Sequence, residues 1–370
     1  MSNSKPSQKK EYWFTAIVLT VTMSMLLLFL LREKSLPELG RIFSSLDPFW
    51  MLIAVATFGS SWVLEGVCNW LLSRHLYPNW TFGRSFMIGM TGIFYCSITP
   101  FSAGGQPMQI YYMAKMGMEP GPSAAIISAK TLTHQCTMML FSVILLFAQF
   151  PFFVKNVSNL ALFTLLGFSA NILLICMVIL VSVNAGFVQT ILRVSLNFLQ
   201  KIHVVKNPEE SYQAIGKHLQ SFQEGFKTMG RDWKLYLLVC LITLAQLILG
   251  SYNPYCIYRA FHLHGASAWQ IISAEVFATM AVTLIPLPGN SGGAEVSFGT
   301  FCHIFFGDLT TPALLVWRVL TYYSNILLGG ILVFWGSRRY LGKKPKAVCP
   351  QTKETESQLS AEAPPTEKSK

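Results

Sequence analysis

Two short stretches of this chain combine residue types that an apolar segment has little reason to keep together. Residues 99–107 read TPFSAGGQP and residues 286–295 read PLPGNSGGAE. Both contain P-x-x-x-G-G: Pro100 precedes Gly104 and Gly105, and Pro288 precedes Gly292 and Gly293. The two prolines lie 188 residues apart, and the same offset carries Lys130 onto Arg318 and Thr133 onto Thr321. Lys130 and Arg318 are the only cations in the apolar blocks 122–150 and 312–336. Proline ends a helix because it lacks an N–H, and glycine lets the chain turn closely. The N–H groups freed at the start of the next helix form an anion site. Two backbone breaks, each followed at the same distance by a lone cation, therefore suit the binding of an anion such as a lipid phosphate. Pro107 and Pro286 add to the two breaks.

Each cation also has a plainer reading. A charge within an apolar helix costs at least about 2.5–3.5 kcal/mol on insertion scales, and a buried carboxylate can offset that cost. Glu295, directly after the second glycine pair, and the mid-block carboxylates Glu65 and Glu275 are the candidates. Glu295 would either meet an amino headgroup or counter Arg318, and Glu65 and Glu275 have the same two readings. Gln106 and Gln109 are neutral hydrogen-bonding groups beside the first break. Tyr111 and Tyr112 read as interface anchors, and His134, one turn past Lys130, as a helix–helix hydrogen bond. His262 and His264 lack a third ligand nearby, so no metal is expected, and Asp308 reads as a helix cap. No nucleotide loop, hydrolase elbow or H-E-x-x-H appears, so no cofactor is expected.

The elements that must position these residues are membrane helices. The chain is 52% hydrophobic and 12% charged, about half the charged content of a soluble domain. Apolar blocks run over 12–31, 49–73, 85–99, 122–150, 159–183, 233–258, 268–285 and 312–336. A span needs about 20 apolar residues, so 12–31 reads as a retained first span. The block 85–99 is short, and 85–118 reads as a re-entrant hairpin; 268–306 reads as a second, entering from the opposite side. The expected architecture is an all-α polytopic membrane protein with about six to eight transmembrane helices and two Pro/Gly-broken hairpins in an inverted repeat. Residues 1–11 form the N-terminus and 12–340 the membrane domain. Half one is 49–150, half two is 233–336, and the polar amphipathic linker 193–234 reads as a surface helix. The tail 341–370, rich in Pro, Glu, Lys and Ser, reads as disordered. Lys and Arg in the linker and after the last span place both termini in the cytoplasm. The net charge of +11 fits topology and anionic lipid, and no basic stretch is interleaved with aromatics as nucleic acid would require. Eight cysteines without C-x-x-C read as small core residues.

At TPFSAGGQPMQIYY and at PLPGNSGGAEVSF with WRVLTYYSNILLGG, the sequence resembles the membrane half of the lysylphosphatidylglycerol synthase/flippase family, the multiple peptide resistance factor proteins. The likeness covers roughly residues 10–340 and is nearest to short membrane-only members. Long members join a flippase module to a cytosolic lysyltransferase. The resemblance implies a multi-pass protein of the bacterial cytoplasmic membrane that moves an anionic or aminoacylated phospholipid such as lysylphosphatidylglycerol, linked to resistance against cationic peptides. The transferase module is not seen in these 370 residues. A separately encoded synthase is then an expected partner, and a homo-oligomer is open. Two other readings stay open: a phosphatidylglycerol lysyltransferase or a membrane part of one, and a non-transporting membrane scaffold.

Overall fold

The computed structural model describes residues 20, 40–41, 43–156, 160–183, 219, 221–230, 232–282 and 287–341. The expected first span 12–31 (Thr20 apart), most of the linker, Pro286 and the tail after Leu341 lie outside them. Among the described residues all regular structure is helical. In chain order the helices are α1 (Pro48–Leu76), α2 (Phe82–Ile98), α3 (Gly105–Lys115), α4 (Pro120–Asn156), α5 (Leu160–Val183) and α6 (Trp233–Ser251). Then come α7 (Asn253–Ala260), α8 (Ala268–Ala281), α9 (Gly293–Phe306), α10 (Thr310–Arg318) and α11 (Ser324–Leu341). Pro48–Leu76, Pro120–Asn156, Trp233–Ala260 and Pro288–Gly336 are long and apolar enough to cross a bilayer. Their outward residues Leu52, Phe147, Leu241 and Trp335 are exposed, as lipid-facing side chains are.

A few contacts fix the path of the chain. At one end, the near end, Glu119 N donates to the Tyr77 hydroxyl at 3.3 Å. A Cβ on Gly83 would lie 2.6 Å from the Tyr340 hydroxyl, and His75 Nδ1 lies 3.8 Å from Asp232. At the far end, Asp47 N donates to the Ala260 carbonyl at 3.0 Å, His262 Nε2 lies 3.1 Å from the Ser45 carbonyl, and Phe306 meets Tyr258 edge-on with centroids 5.6 Å apart. So α1 runs from far to near, and α2, the break and α3 enter from the near end and return to it. α4 then crosses to the far end. In the second half α6 and α7 run from near to far, α8 and α9 enter and leave at the far end, and α10 with α11 crosses back. The halves are span, hairpin, span in opposite directions, which is the inverted repeat expected from the sequence. The tips of the hairpins, 3₁₀ turns at Pro100–Ser102 and Pro288–Asn290, pack against each other.

The register of the repeat extends to the backbone. Phe101 (φ 55°) and Ser102 (φ 52°) are left-handed, and so are Gly289 (φ 56°) and Asn290 (φ 53°). These pairs are separated by the same 188 residues. Such a conformation costs a non-glycine residue roughly 1–2 kcal/mol, and each break holds at least one. Each hairpin sits in its own apolar cluster: Met87, Ile88, Phe94 and Met113 around the first, and Phe277, Phe298, Phe301 and Phe306 around the second.

Some boundaries differ from expectation. The block 233–258 is two helices, because Pro254 at the start of α7 cannot donate into the α6 ladder. α4 runs 37 residues, through Pro151. α8 is capped by Ser267, whose hydroxyl accepts from Gln270 N at 3.3 Å. The described turn of the linker, 221–230, is helical, and it places Phe222 and Met229 in the first apolar cluster of the protein. Asp308 does not cap α10: Leu309 holds the N-cap position and no side chain caps that helix.

Candidate functional site

The second break carries the more open chemistry. α9 starts at Gly293 without a side-chain cap from the residue before it, so Glu295 turns back and accepts from Gly292 N at 2.5 Å. The negative carboxylate offsets the positive end of the helix dipole. Its other oxygen accepts from Arg318 Nε at 2.8 Å. Arg318 Nη2 also lies 2.8 Å from that oxygen, but off the hydrogen-bonding direction, and it has no hydrogen-bond partner. The guanidinium lies over Trp317 at 5.1 Å and over Tyr322 at 5.2 Å. Arg318 is only 4% exposed. Directly after it the helix widens into a π turn, Val319–Tyr323, a local bulge common at functional positions. Tyr322 reaches across to donate to the Ser97 carbonyl at 3.3 Å, and its ring fills the space where a Gly289 side chain would stand. Arg318, the second break and the end of α2 thus meet around one tyrosine.

The first cation is bound differently. Lys130 on α4 makes an ion pair with Glu65 on α1. The same Glu65 oxygen accepts from Asn69 Nδ2 at 3.2 Å, and the other accepts from Gln246 Nε2 at 3.2 Å. Gln246 belongs to α6, so this node ties half one to half two. His134 lies within electrostatic reach of both charges. Near the tip, Gly104 N donates to Thr99 Oγ1 at 2.9 Å. Gly105 lets α3 approach α2 closely: a Cβ there would lie 2.8 Å from the Gly92 carbonyl and overlap Cys96 Sγ. Gln109 donates to the Ile88 carbonyl at 3.0 Å, strapping the two arms of the hairpin. Gln106 is half-buried on the first turn of α3 and Pro107 is exposed. Position 107 is early enough in the helix for proline to remove no internal bond.

The sequence-named residues therefore fall into two groups. Arg318, Glu295, Gly292, Gly293 and Pro288 come together at the second hairpin, and Lys130 and Glu65 form a separate node. Gly104, Gly105, Gln106 and Pro100 build the tip and arms of hairpin one. At both helix starts one leading N–H is occupied from within, by Thr99 at Gly104 and by Glu295 at Gly292. Glu275, on α8, stands within electrostatic reach of Arg318 but pairs with neither node. Gln246 and Asn69 join the Glu65 node with no signal in the sequence pattern. Tyr322, four positions from Arg318, had a signal in the helical spacing, and Trp317, directly before it, had none. Among the described residues no cluster of metal-ligating side chains occurs.

The fold and these buried nodes define a polytopic helical membrane protein built as an inverted repeat around two opposed re-entrant hairpins. The family described as the lysylphosphatidylglycerol synthase TM region matches residues 13–329, and the chain belongs to it. A UPF0104 membrane protein of Archaeoglobus fulgidus is 30% identical over 298 residues, covering 77% of this chain and 86% of that protein. An uncharacterized protein of Mycoplasma genitalium is 20% identical, covering 77% and 78%. A UPF0104 membrane protein of Methanothermobacter thermautotrophicus is 24% identical, covering 70% and 75%.

Proposed function

We propose that the protein translocates a phospholipid, such as an aminoacylated phosphatidylglycerol, between the leaflets of the cytoplasmic membrane. One observation carries the reading. Two repeat-related cations, approached by opposed broken hairpins, are each neutralised by a carboxylate that a lipid phosphate can replace in kind. Arg318 stands eight residues in from the far end of α10, and Lys130 ten residues in from the near end of α4. At 1.5 Å per residue each cation stands about 12–15 Å from its end, close to the middle of a core about 30 Å thick. A phosphate passing along the hairpin tips would meet each in turn. Transporters built from inverted repeats commonly place their site where broken helices meet. Irregular backbone at that depth is tolerated only inside protein or a wet cavity.

The near end is the cytoplasmic one in this reading. It carries Arg74, Arg84, Lys115 and Arg339, each stacked on an aromatic ring, as the positive-inside rule and interfacial aromatic belts require. A phospholipid carrying an added amine on the outer surface would repel cationic peptides. A separately encoded synthase would supply such a lipid.

The test is leaflet-specific labelling of aminoacylated phosphatidylglycerol in proteoliposomes. Arg318→Ala should abolish transfer while the purified protein elutes and melts as a folded species. Transfer at the unaltered rate in that variant overturns the headgroup role of the second hairpin.

A further inference from the structure

Resting on that reading, we propose that Glu295 takes up one proton each time a phosphate binds at Arg318, so that the second hairpin binds an anionic headgroup and a proton together. Arg318 presents two neighbouring donors, and the carboxylate uses one of them. Nε donates to Glu295 Oε1 at 2.8 Å, while Nη2, equally close, has no hydrogen-bond partner. A phosphate accepts from both donors of such a fork. The Arg318 side chain is 4% exposed and that of Glu295 20%, so the acid is the member within reach of water. Once a phosphate holds Arg318, Glu295 keeps one backbone N–H, that of Gly292 at 2.5 Å. Glu65 is better served, because it keeps the amides of Asn69 and Gln246 when Lys130 leaves it. A largely buried carboxylate with no cation, one donor and a second anion beside it is strongly disfavoured in its ionised form.

In the exchange the Arg318–Glu295 ion pair opens, the phosphate takes the Nε and Nη2 donors, and one proton from water adds to Glu295 Oε1. The new O–H donates to a phosphate oxygen, and Oε2 keeps the Gly292 N–H. The site is neutral before, as guanidinium and carboxylate, and neutral after, as guanidinium, phosphate and carboxylic acid. Release of the lipid runs the step backwards and returns the proton to water. The other titratable groups around the pair are few. Tyr323 on the π turn lies within electrostatic reach of both partners. Glu275 on α8 lies within electrostatic reach of Arg318 but makes no hydrogen bond to it. On α9 itself Cys302 lies within electrostatic reach of Glu275, and His303 meets Thr310 at 3.0 Å. Glu65 on α1 is held by Lys130, and the tip of hairpin one, residues 99–107, carries no titratable side chain. Glu275 is therefore the rival for the proton, and Glu295 is the group that the phosphate displaces directly.

Binding rather than transport tests this. Purified protein in detergent micelles is titrated with short-chain phosphatidylglycerol by calorimetry, at a series of pH values and in two buffers of different ionisation enthalpy, which counts the protons exchanged. The unaltered protein should take up one proton per lipid, and its Kd should rise about tenfold per pH unit while the free carboxyl is ionised. Glu295→Gln keeps an oxygen for the Gly292 N–H and removes the charge. It should bind without proton uptake, with an affinity independent of pH, and at alkaline pH more tightly than the unaltered protein. Glu275→Gln should keep the uptake. Binding without uptake in the unaltered protein overturns the inference, and so does uptake that persists in Glu295→Gln or disappears in Glu275→Gln. A folded Glu295→Gln protein that binds at no pH also overturns it and makes Glu295 a structural group. If the amide variant does not fold, Glu295→Asp decides: the proton count should stay at one and the pH at which affinity changes should move, and an unmoved profile overturns the assignment. Arg318→Gln tests the underlying reading separately. Unchanged phosphatidylglycerol binding there defeats the phosphate site, whereas binding that needs Arg318 yet takes up no proton defeats the proton coupling alone.

Discussion

Lys130→Met is the most informative substitution, because its cost can be worked from the node it breaks. The Glu65 side chain is 7% exposed and the Lys130 side chain 16%. Removing the ammonium leaves a carboxylate in the membrane interior with two amide donors, Asn69 and Gln246. Breaking a buried pair from one side typically costs about 3–5 kcal/mol. The two amides remain and the carboxyl can take up a proton, so the lower end applies, about 3 kcal/mol. At roughly 2–4 °C per kcal/mol for chains somewhat smaller than this one, the melting temperature in detergent should fall by about 5–10 °C. The second variant, Lys130→Met with Glu65→Gln, removes both charges and keeps an amide that Asn69 and Gln246 can meet. Stability should return to within about 1 kcal/mol of the starting protein, since neutralising both members of a buried pair is often nearly neutral. Lipid transfer should stay lost, because the cation proposed to meet the phosphate is gone. Recovery of both stability and transfer in the double variant would show that Lys130 serves only to neutralise Glu65. A single variant as stable as the parent would refute the buried-pair argument itself.

The remaining predictions follow from local geometry. Gly289→Ala should lower stability by about 1–3 kcal/mol, as overpacking does, and impair transfer. Its φ is +56° and the added methyl overlaps the Tyr322 ring; the melting temperature and the transfer rate measure both effects. Ser267→Ala at the N-cap of α8 should cost about 1 kcal/mol of stability and leave the transfer rate unchanged, a control in the same hairpin remote from Arg318. Gln109→Leu should cost about 1 kcal/mol, the value of the bond to the Ile88 carbonyl together with the carbonyl left unpaired. In a cysteine-free background, a cysteine at His264 should react with an impermeant maleimide on intact cells. One at Thr228 should react only after permeabilisation, and the reverse pattern would invert the proposed orientation.

Much of the fold was legible because membrane helices leave few choices. Apolar blocks marked the spans, and P-x-x-x-G-G marked both hairpin tips. The offset that aligned Lys130 with Arg318 also predicts the shared left-handed pairs at Phe101–Ser102 and Gly289–Asn290. The partners of the cations were not legible in the same way. The repeat maps Glu65 onto Asn253 and Glu295 onto Pro107, so the two cations are symmetric and their carboxylates are not. Glu65 reaches Lys130 from a different helix, 65 residues away, and nothing in local spacing encodes that meeting. Glu295 was legible as one possible counter-charge for Arg318, and the packing of α9 on α10 shows that it is the partner. The π turn after Arg318 leaves no periodic trace either, since it displaces the helix by a single residue.

That asymmetry has a mechanistic consequence. Glu295 does two jobs, holding Arg318 and satisfying the first N–H of α9. A phosphate arriving at Arg318 would restore the counter-charge of the cation, while Glu295 would be left with the Gly292 N–H, so the exchange is favourable only if that carboxyl takes up a proton or meets another partner. The displaced Glu295 still caps its helix, so hairpin two can release the ligand side without unravelling. At the other node Glu65 holds Lys130, Asn69 and Gln246 together, and losing Lys130 to a phosphate leaves the α1–α6 link through Gln246 intact. Hairpin one carries none of these charges. In the proposed role, exchange at Arg318 would move an element of the hairpin, and exchange at Lys130 would act on the spans that frame it. Two similar phosphate contacts would then bias different parts of the structure, which is what passing a headgroup from one leaflet to the other requires of a repeat whose halves would otherwise respond alike.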